Sequence, residues 1–351
     1  MNTKLISVLE NEIEEKDGLL REAGEILKNG GLVAIPTETV YGLGGDALNR
    51  ASSRKIYEAK GRPSDNPLII HVADMDSVAY IVTEITDEAR KVAEAFWPGP
   101  LTMIFPKAEV VPYETTGGLD TVAVRMPSHK VARKVIAYAG GYVAAPSANT
   151  SGKPSPTLAK YVLEDMDGKI DMVIDGGEGD IGLESTILDM TVSPPQILRP
   201  GFITREMLEE VLGEVAVDRT ILRNDTGDRP KAPGMKYRHY APKGELTIIS
   251  GAEEAVIEYI NNSAKEAMAE GKKVGIIVSE EAIERYTGSS VKCVGKRSDE
   301  LSIGKSLYRI LREFDEENMD VIYSESFGQE GMGQAIMNRL LKAAGHQLIE
   351  V

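Results

Sequence analysis

Residues 33–71 read VAIPTETVYGLGGDALNRASSRKIYEAKGRPSDNPLIIH, and the rest of the chain is organised around them. A short β-type run, Leu32 to Ile35, stops at Pro36. The proline ring fixes φ and removes an N–H, so a strand ladder ends there. Thr37, Glu38 and Thr39 follow, then Tyr41 and the glycines Gly42, Gly44 and Gly45. Hydroxyls both donate and accept, and glycines let backbone N–H groups approach a ligand closely. A helical segment, Ser52 to Ala59, leads into Lys60-Gly61-Arg62-Pro63-Ser64-Asp65-Asn66-Pro67. Two cations, a hydroxyl and an amide thus stand on a loop pinned by prolines. A second apolar strand, Leu68 to Val72, carries His71. Together these residues read as a pocket for a polar organic ligand beside a phosphate site. A Gly/Pro-rich surface connection with solvated charges explains any one of them, but not their recurrence in one short stretch.

The 351 residues are enough for two domains. With 42% hydrophobic and 27% charged residues, the composition is that of a globular protein. A formal net charge of −15 argues against a surface that grips nucleic acid as a whole, though not against a local basic site. Cys293 is the only cysteine, which excludes an intrachain disulfide and a multi-cysteine zinc site. On a strand it reads as a small buried hydrophobe. The acidic start, MNTKLISVLENEIEEKDG, has no apolar core of a signal peptide, and no run approaches membrane-spanning length. A cytoplasmic location without membrane contact is the expectation.

The central motif has echoes downstream. Residues 142–156 read YVAAPSANTSGKPSP: an apolar run again stops at a proline, Pro146, and is followed by Ser147, Asn149, Thr150, Ser151 and Ser155. Two strands ending in proline plus hydroxyls predict a mouth where several strand ends converge. In TGGLDTVAVRMP, Thr121 precedes a strand that ends at Arg125, placed for bidentate capture of a carboxylate or phosphate. Glu184 and Ser185 head the strand STILDM, and QILRPG sets Arg199 at another strand end. Trp97, beside the turn PGP, reads as a packing anchor. Helices are expected at 18–29, 75–81, 87–96, 158–163 and 205–212. Their irregular alternation with strands predicts a mixed sheet with helices.

Residues 214–244 lack sustained periodicity and read as an interdomain linker. Yet Pro233-Gly234-Met235-Lys236-Tyr237-Arg238-His239-Tyr240-Ala241-Pro242 is basic and aromatic inside an acidic chain. A tether needs neither property, whereas a lid over an anionic ligand needs both. From Glu245 strands and helices alternate regularly, which predicts a small doubly wound parallel sheet. No G-x-G-x-x-G follows its first strand.

TVYGLGGDA, KGRPSDNPLIIH, WPGPLT, VAVRMP, APSAN and STI, in that order, resemble the YrdC-type domain of threonylcarbamoyl-AMP synthases. The linker PGMKYRHYAP and the α/β tail resemble the longer, two-domain members of that family. The resemblance covers essentially the whole chain. It implies a YrdC-type mixed twisted sheet in residues 1–213, a linker acting as lid in 214–244, and a Rossmann-like domain in 245–351. The implied activity is ATP-dependent nucleotidyl transfer. L-Threonine, bicarbonate or CO2 and ATP give threonylcarbamoyl-AMP and pyrophosphate, and the product feeds tRNA threonylcarbamoyladenosine formation. By resemblance, Thr37, His71, Arg125, Ala145 (through its backbone) and Ser185 hold threonine. Lys60, Arg62, Ser64, Asn66, Thr121, Ser147, Asn149, Ser155, Arg199, Tyr237 and His239 surround ATP. Lys60, Arg62 and Arg125 carry the catalytic charge, and Mg2+ comes with ATP. Implied partners are a downstream tRNA-modifying threonylcarbamoyl transferase complex and, more weakly, tRNA itself.

Two other readings exist. The fold also resembles a double-stranded-RNA-binding module, so an RNA-binding or ribosome-maturation factor without catalysis is the alternative. Net acidity and the small hydroxyl groups count against it. Carbamoyl transfer in metallocentre maturation is a second, but the multi-cysteine zinc motifs of those proteins are missing.

Overall fold

The structure, a computed structural model, describes residues 2–218, 221 and 240–351. They fall into two compact units: one holds residues up to 221 except Gly152–Pro154, the other holds Gly152–Pro154 and the residues from 240 on. The first unit contains strands β1 (Lys4–Ser7), β2 (Val33–Ile35), β3 (Gly42–Asp46), β4 (Ile69–Val72), β5 (Leu101–Pro106), β6 (Thr121–Arg125), β7 (Tyr142–Ala144), β8 (Met172–Asp175), β9 (Thr186–Asp189), β10 (Gln196–Arg199) and β11 (Ala216–Val217). Its helices are α1 (Asp17–Lys28), α2 (Arg50–Lys60), α3 (Met75–Ile81), α4 (Asp87–Phe96), α5 (Lys130–Tyr138), α6 (Ala159–Met166) and α7 (Arg205–Leu212). The strands form one mixed sheet in the order β1-β8-β2-β3-β7-β4-β6-β5-β9-β10-β11.

Each strand turns alternate residues to opposite faces. Ala34, Ile70, Met103, Val124, Ala144 and Leu188 share one face and bury into the main core, which also takes Ile56, Val78, Val92, Val162 and Leu208 from helices α2, α3, α4, α6 and α7. On the other face, Val33, Ile35, Val143, Met172 and Ile174 are covered by Leu20, Ala23 and Leu27 of α1 and by Val131, Val135 and Ile136 of α5. Farther along that face lies a separate apolar patch of Ile69, Ile104, Ala123, Ile187 and Leu198, which contains no helix residue.

Three strands of this unit escape the sequence patterns. β1 lies in the acidic start and pairs in parallel with β8. β11 lies in the stretch read as linker and pairs with β10. β3 runs through the glycines read as a ligand loop. Glycine has low β propensity, but here the space decides. A Cβ on Gly44 would sit 2.9 Å from Val143 Cγ1 and 3.0 Å from Val33 O. These glycines let the sheet pack closely. Trp97 is the anchor it reads as, nearly buried, with Nε1 donating to Leu101 O at 2.7 Å.

The second unit has strands β12 (Glu245–Ser250), β13 (Val274–Ser279), β14 (Ser290–Gly295), β15 (Val321–Glu325) and β16 (Leu348–Glu350), with helices α8 (Glu253–Ala269), α9 (Glu300–Glu317) and α10 (Gly331–Ala343). All its pairings are parallel, in the order β14-β13-β15-β12-β16. This is the expected doubly wound sheet, with β16 an additional edge strand. Cys293 on β14 is only half-buried, not the buried hydrophobe expected.

Candidate active site

The two proline-terminated strands, β2 and β7, are both antiparallel to β3 between them. They therefore run the same way, and Pro36 and Pro146 mark one edge of the sheet, as expected. The rest of the site is not gathered at that edge. β4 is antiparallel to β7, and β6 is parallel to β4. The ends bearing His71 and Arg125 thus point the opposite way. Register supplies what edge position does not. His71 lies beside Arg125, Ile69 beside Ala123, and Thr102 beside Arg125 on its other flank. By alternation Thr121, Ala123 and Arg125 share a face with Ile69 and His71. Thr121, Arg125 and His71 are thus laid across one face of the sheet, around the apolar patch.

The PTET loop folds onto this face. Arg125 Nη1 donates to Thr39 Oγ1 at 2.9 Å, and Thr39 Oγ1 is 2.9 Å from Thr37 Oγ1. Thr37 in turn donates to Val40 O at 2.7 Å. Glu38 Oε1 lies 2.7 Å from Arg125 Nη2, and both side chains are almost fully buried. The pair is ionic without being directed. Neither Glu38 oxygen makes an aligned hydrogen bond, nor does Arg125 Nε or Nη2. Burial, the largest influence, pushes the Glu38 carboxyl up, but the Arg125 charge and contact, together with the backbone N–H groups of Glu38 and Ser128, outweigh it and hold the group below its ordinary value. Arg125 Nε is therefore a buried donor in need of an acceptor, and Nη2, 2.7 Å from Glu38 Oε1, is contacted only off the line of its N–H bonds.

His71 is also buried. Burial first, and the Arg125 charge second, push its imidazole down to about 3. The ring is neutral at any physiological pH, and its Nδ1 lies 3.2 Å from Ile69 O. With Nδ1–H donating there, Nε2 is left as an acceptor. A pH dependence follows. The unfolded chain takes up a proton near 6.5, whereas the folded chain resists protonation down to about 3. Acidification between those values favours the unfolded state. Thermal unfolding at about pH 7 and about pH 5 should show a larger loss of Tm in the wild type than in His71→Asn. Equal losses would show that His71 is not the group responsible.

On the next strands, Thr102 Oγ1 lies 2.8 Å from Ser185 Oγ. Buried Arg199 donates to Ser185 O through Nε at 3.0 Å and to Ser185 Oγ through Nη2 at 3.2 Å. Ser155 Oγ donates to Glu184 Oε1 at 2.6 Å. Ala145 N donates to Ile69 O at 2.9 Å.

Helix α2 delivers the cations. It starts at Asn49, whose side chain accepts from Ala51 N, and stops at Gly61, which adopts the left-handed φ of 60°. Lys60 is thus the last helical residue and Arg62 begins the loop. Lys60 Nζ is buried and donates to Ser147 O and, at 2.5 Å, to Asn149 O. It ties α2 to the loop after β7, where Ser147 Oγ also donates to Asn149 Oδ1 at 2.6 Å. Arg62 Nη2 donates to Pro67 O at 3.2 Å. Asn66 is buried, with its Oδ1 lacking a hydrogen-bond partner, and Ser64 is exposed. A cavity of about 1070 Å3 between α1 and α2 also reaches Lys60 and Thr150; Glu22, Glu25, Glu58 and Asp171 line it together with Lys55 and Lys169.

Thr37, His71, Arg125 and Ser185 are therefore brought together, and Lys60, Ser147 and Asn149 form a second group. Tyr237 and His239 lie outside the described residues. The sequence assigned no role to Glu38, Thr39, Thr102 or Glu184, the residues that hold the others in place. A carboxylate just after a strand-ending proline was the available signal at Glu38; its partner, Arg125, is distant in sequence. Donors for a carboxylate, a neutral imidazole, small hydroxyls and nearby cations together suit a small zwitterion beside a phosphate chain.

A family model described as "Telomere recombination" matches residues 25–201, and one described as "Threonylcarbamoyl-AMP synthase, C-terminal domain" matches residues 203–345. The threonylcarbamoyl-AMP synthase of Pyrococcus abyssi is 47% identical over 349 residues, spanning 99% of this chain and 100% of that one. That of Bacillus subtilis is 44% identical over 340 residues, 97% of this chain and 96% of its own. The crystal structure of P. abyssi Sua5 complexed with L-threonine superposes with a TM-score of 0.93 at 46% identity, covering 99% of this chain and 100% of that chain. The chain belongs to the threonylcarbamoyl-AMP synthase family.

Proposed function

We infer that the chain condenses L-threonine, bicarbonate or CO2 and ATP into threonylcarbamoyl-AMP and pyrophosphate on the sheet face described above. The observation that carries this reading is the Nε–Nη2 edge of Arg125, buried and without an aligned acceptor, beside neutral His71 and Thr37. That edge would take the threonine carboxylate in a bidentate fork. His71 Nε2, Thr37 and Ser185 would face its hydroxyl and amine. Ala145, whose N–H is given to Ile69, would contribute its carbonyl.

The reaction needs no enzyme nucleophile. The threonine amine attacks CO2, the N–C bond forms and a proton leaves. An oxygen of the resulting carbamate then attacks the α-phosphorus of ATP, and pyrophosphate departs. The protein's share is to hold two anions together and to balance the charge of the leaving group. Lys60, Arg62 and Arg199 would do this, with Ser64, Asn66, Thr121, Ser147, Asn149 and Ser155 positioning the nucleotide. Asn66 Oδ1, which has no hydrogen-bond partner, suits a donor on the ligand. Mg2+ would arrive on the phosphates. Among the described residues no cluster of carboxylates, histidines or cysteines could hold a metal, so phosphate and water would be its main ligands.

The same proposal includes a cytoplasmic location, a downstream threonylcarbamoyl transferase as acceptor, and weak contact with tRNA. Among the described residues no helix is long and apolar enough to cross a membrane. The test is ATP-dependent pyrophosphate release, which should require threonine and bicarbonate together. A protein that only binds RNA releases none. Serine should be a poor substrate because it forfeits a methyl contact of roughly 1–3 kcal/mol. Valine should be worse, because it leaves polar groups of the pocket unpaired. Equal turnover of valine and threonine would rule out this pocket.

A further inference from the structure

The proposed threonine pocket contains one charged group with no task in the chemistry just described. Glu38 is a buried carboxylate, 2.7 Å from Arg125 Nη2, on the same loop as Thr37 and Thr39. Glu38 leaves the Nε–Nη2 edge of Arg125 without an aligned partner, and Thr39 takes Nη1. A carboxylate that merely satisfied the arginine would form the directed two-bond fork that these groups favour. This one supplies its charge from the side, 2.7 Å from Nη2 but off the line of its N–H bonds, and leaves Nε without a partner.

The balance of charge follows. Around the Arg125 end of the pocket, Arg125 carries one positive charge and Glu38 one negative, and His71 is uncharged; Arg199, which donates to Ser185, lies beyond it among the cations assigned to phosphate. A pocket of net zero charge suits a net-neutral zwitterion. Without Glu38 the same pocket would hold one buried, uncompensated positive charge. It would then favour a bare anion.

Resting on the assignment of threonine to this pocket, we propose that Glu38 is a positioning and specificity residue: it holds Arg125 in place from the side and cancels its charge, so that the pocket takes an amino acid and refuses the same molecule without its amine. The probe is 3-hydroxybutyrate, which is threonine lacking the amino group. In the wild type it should inhibit weakly against threonine.

Glu38→Gln keeps the size and removes the charge. It should raise KM for threonine about tenfold and lower the competitive inhibition constant of 3-hydroxybutyrate about tenfold, with KM for ATP within about twofold of the wild type. The two constants move in opposite directions. A purely structural role for Glu38 would weaken both, and that result, or no change in either, overturns the inference. Should Glu38→Gln fail to fold, Glu38→Asp carries the test. With charge kept and reach shortened, KM for threonine should rise while the preference for threonine over 3-hydroxybutyrate persists. An unchanged KM or a lost preference overturns the inference. Arg125→Gln separates this failure from failure of the pocket itself. If it weakens neither ligand, the threonine assignment falls. If it weakens both while the Glu38 variants do not behave as stated, only the role of Glu38 falls.

Discussion

Lys60→Ala should reduce ATP-dependent turnover by about ten- to a hundredfold, corresponding to the roughly 1.5–3 kcal/mol of a lost charge-assisted contact. The structure gives two reasons for so large an effect. Lys60 is the last residue of α2, fixed there by the left-handed Gly61. Its ammonium is buried and donates to the carbonyl oxygens of Ser147 and Asn149. Removal therefore costs the positive charge proposed to face the phosphates and also releases the loop after β7. Lys60→Met keeps most of the packing volume and separates the two losses. If the charge matters most, the Met variant should be nearly as impaired as the Ala variant while its Tm stays closer to the wild type. Threonine affinity, measured without ATP, should change little in either. ATP turnover unchanged in both variants would remove Lys60 from the site.

The parts of the site legible in the sequence are those with local causes. Pro36 and Pro146 stop their strands because proline stops strands anywhere. Arg125 and Arg199 could be placed at strand ends because a continuous apolar run precedes each and a proline follows closely. The helix that delivers Lys60 is read at Ser52 to Ala59; the structure extends it to Arg50–Lys60, between the caps Asn49 and Gly61. What could not be read has nonlocal causes. That β4 runs against β7 and beside β6 is decided by pairing between distant segments, and this pairing turns an expected row of strand ends into a face. The glycines of β3 are strand residues only because Val143, Val33 and Ile56 crowd them. Glu38 lies in a polar run that reads as a ligand pocket without a role for the carboxylate itself, and only the fold brings Arg125 to it. The lid expected of Tyr237 and His239 falls outside the described residues.

Arg125 joins the legible and illegible parts, and its replacement makes the other large prediction. Arg125→Gln should lower kcat/KM for threonine by about a hundredfold or more, because two charge-assisted contacts to the carboxylate, each roughly 1.5–3 kcal/mol, would be lost. The single variant carries a complication that the structure makes explicit. It leaves Glu38 as a buried charge without a counter-ion, and breaking such a pair costs about 3–5 kcal/mol of stability. A loss of fold would then be read as a loss of substrate binding. The double variant Glu38→Gln/Arg125→Gln resolves this. It removes both charges, so its Tm should recover most of what the single variant loses, in line with the coupling expected of residues in contact. Threonine use should not recover, because the donor fork stays absent. ATP affinity should be near that of the wild type in the double variant, since the cations assigned to phosphate lie on other elements. Arg125→Lys extends the test. An ammonium keeps the charge but cannot offer the planar Nε–Nη2 edge, so it should restore stability better than it restores threonine use. A double variant that regains both Tm and threonine turnover would show that Arg125 serves the fold alone.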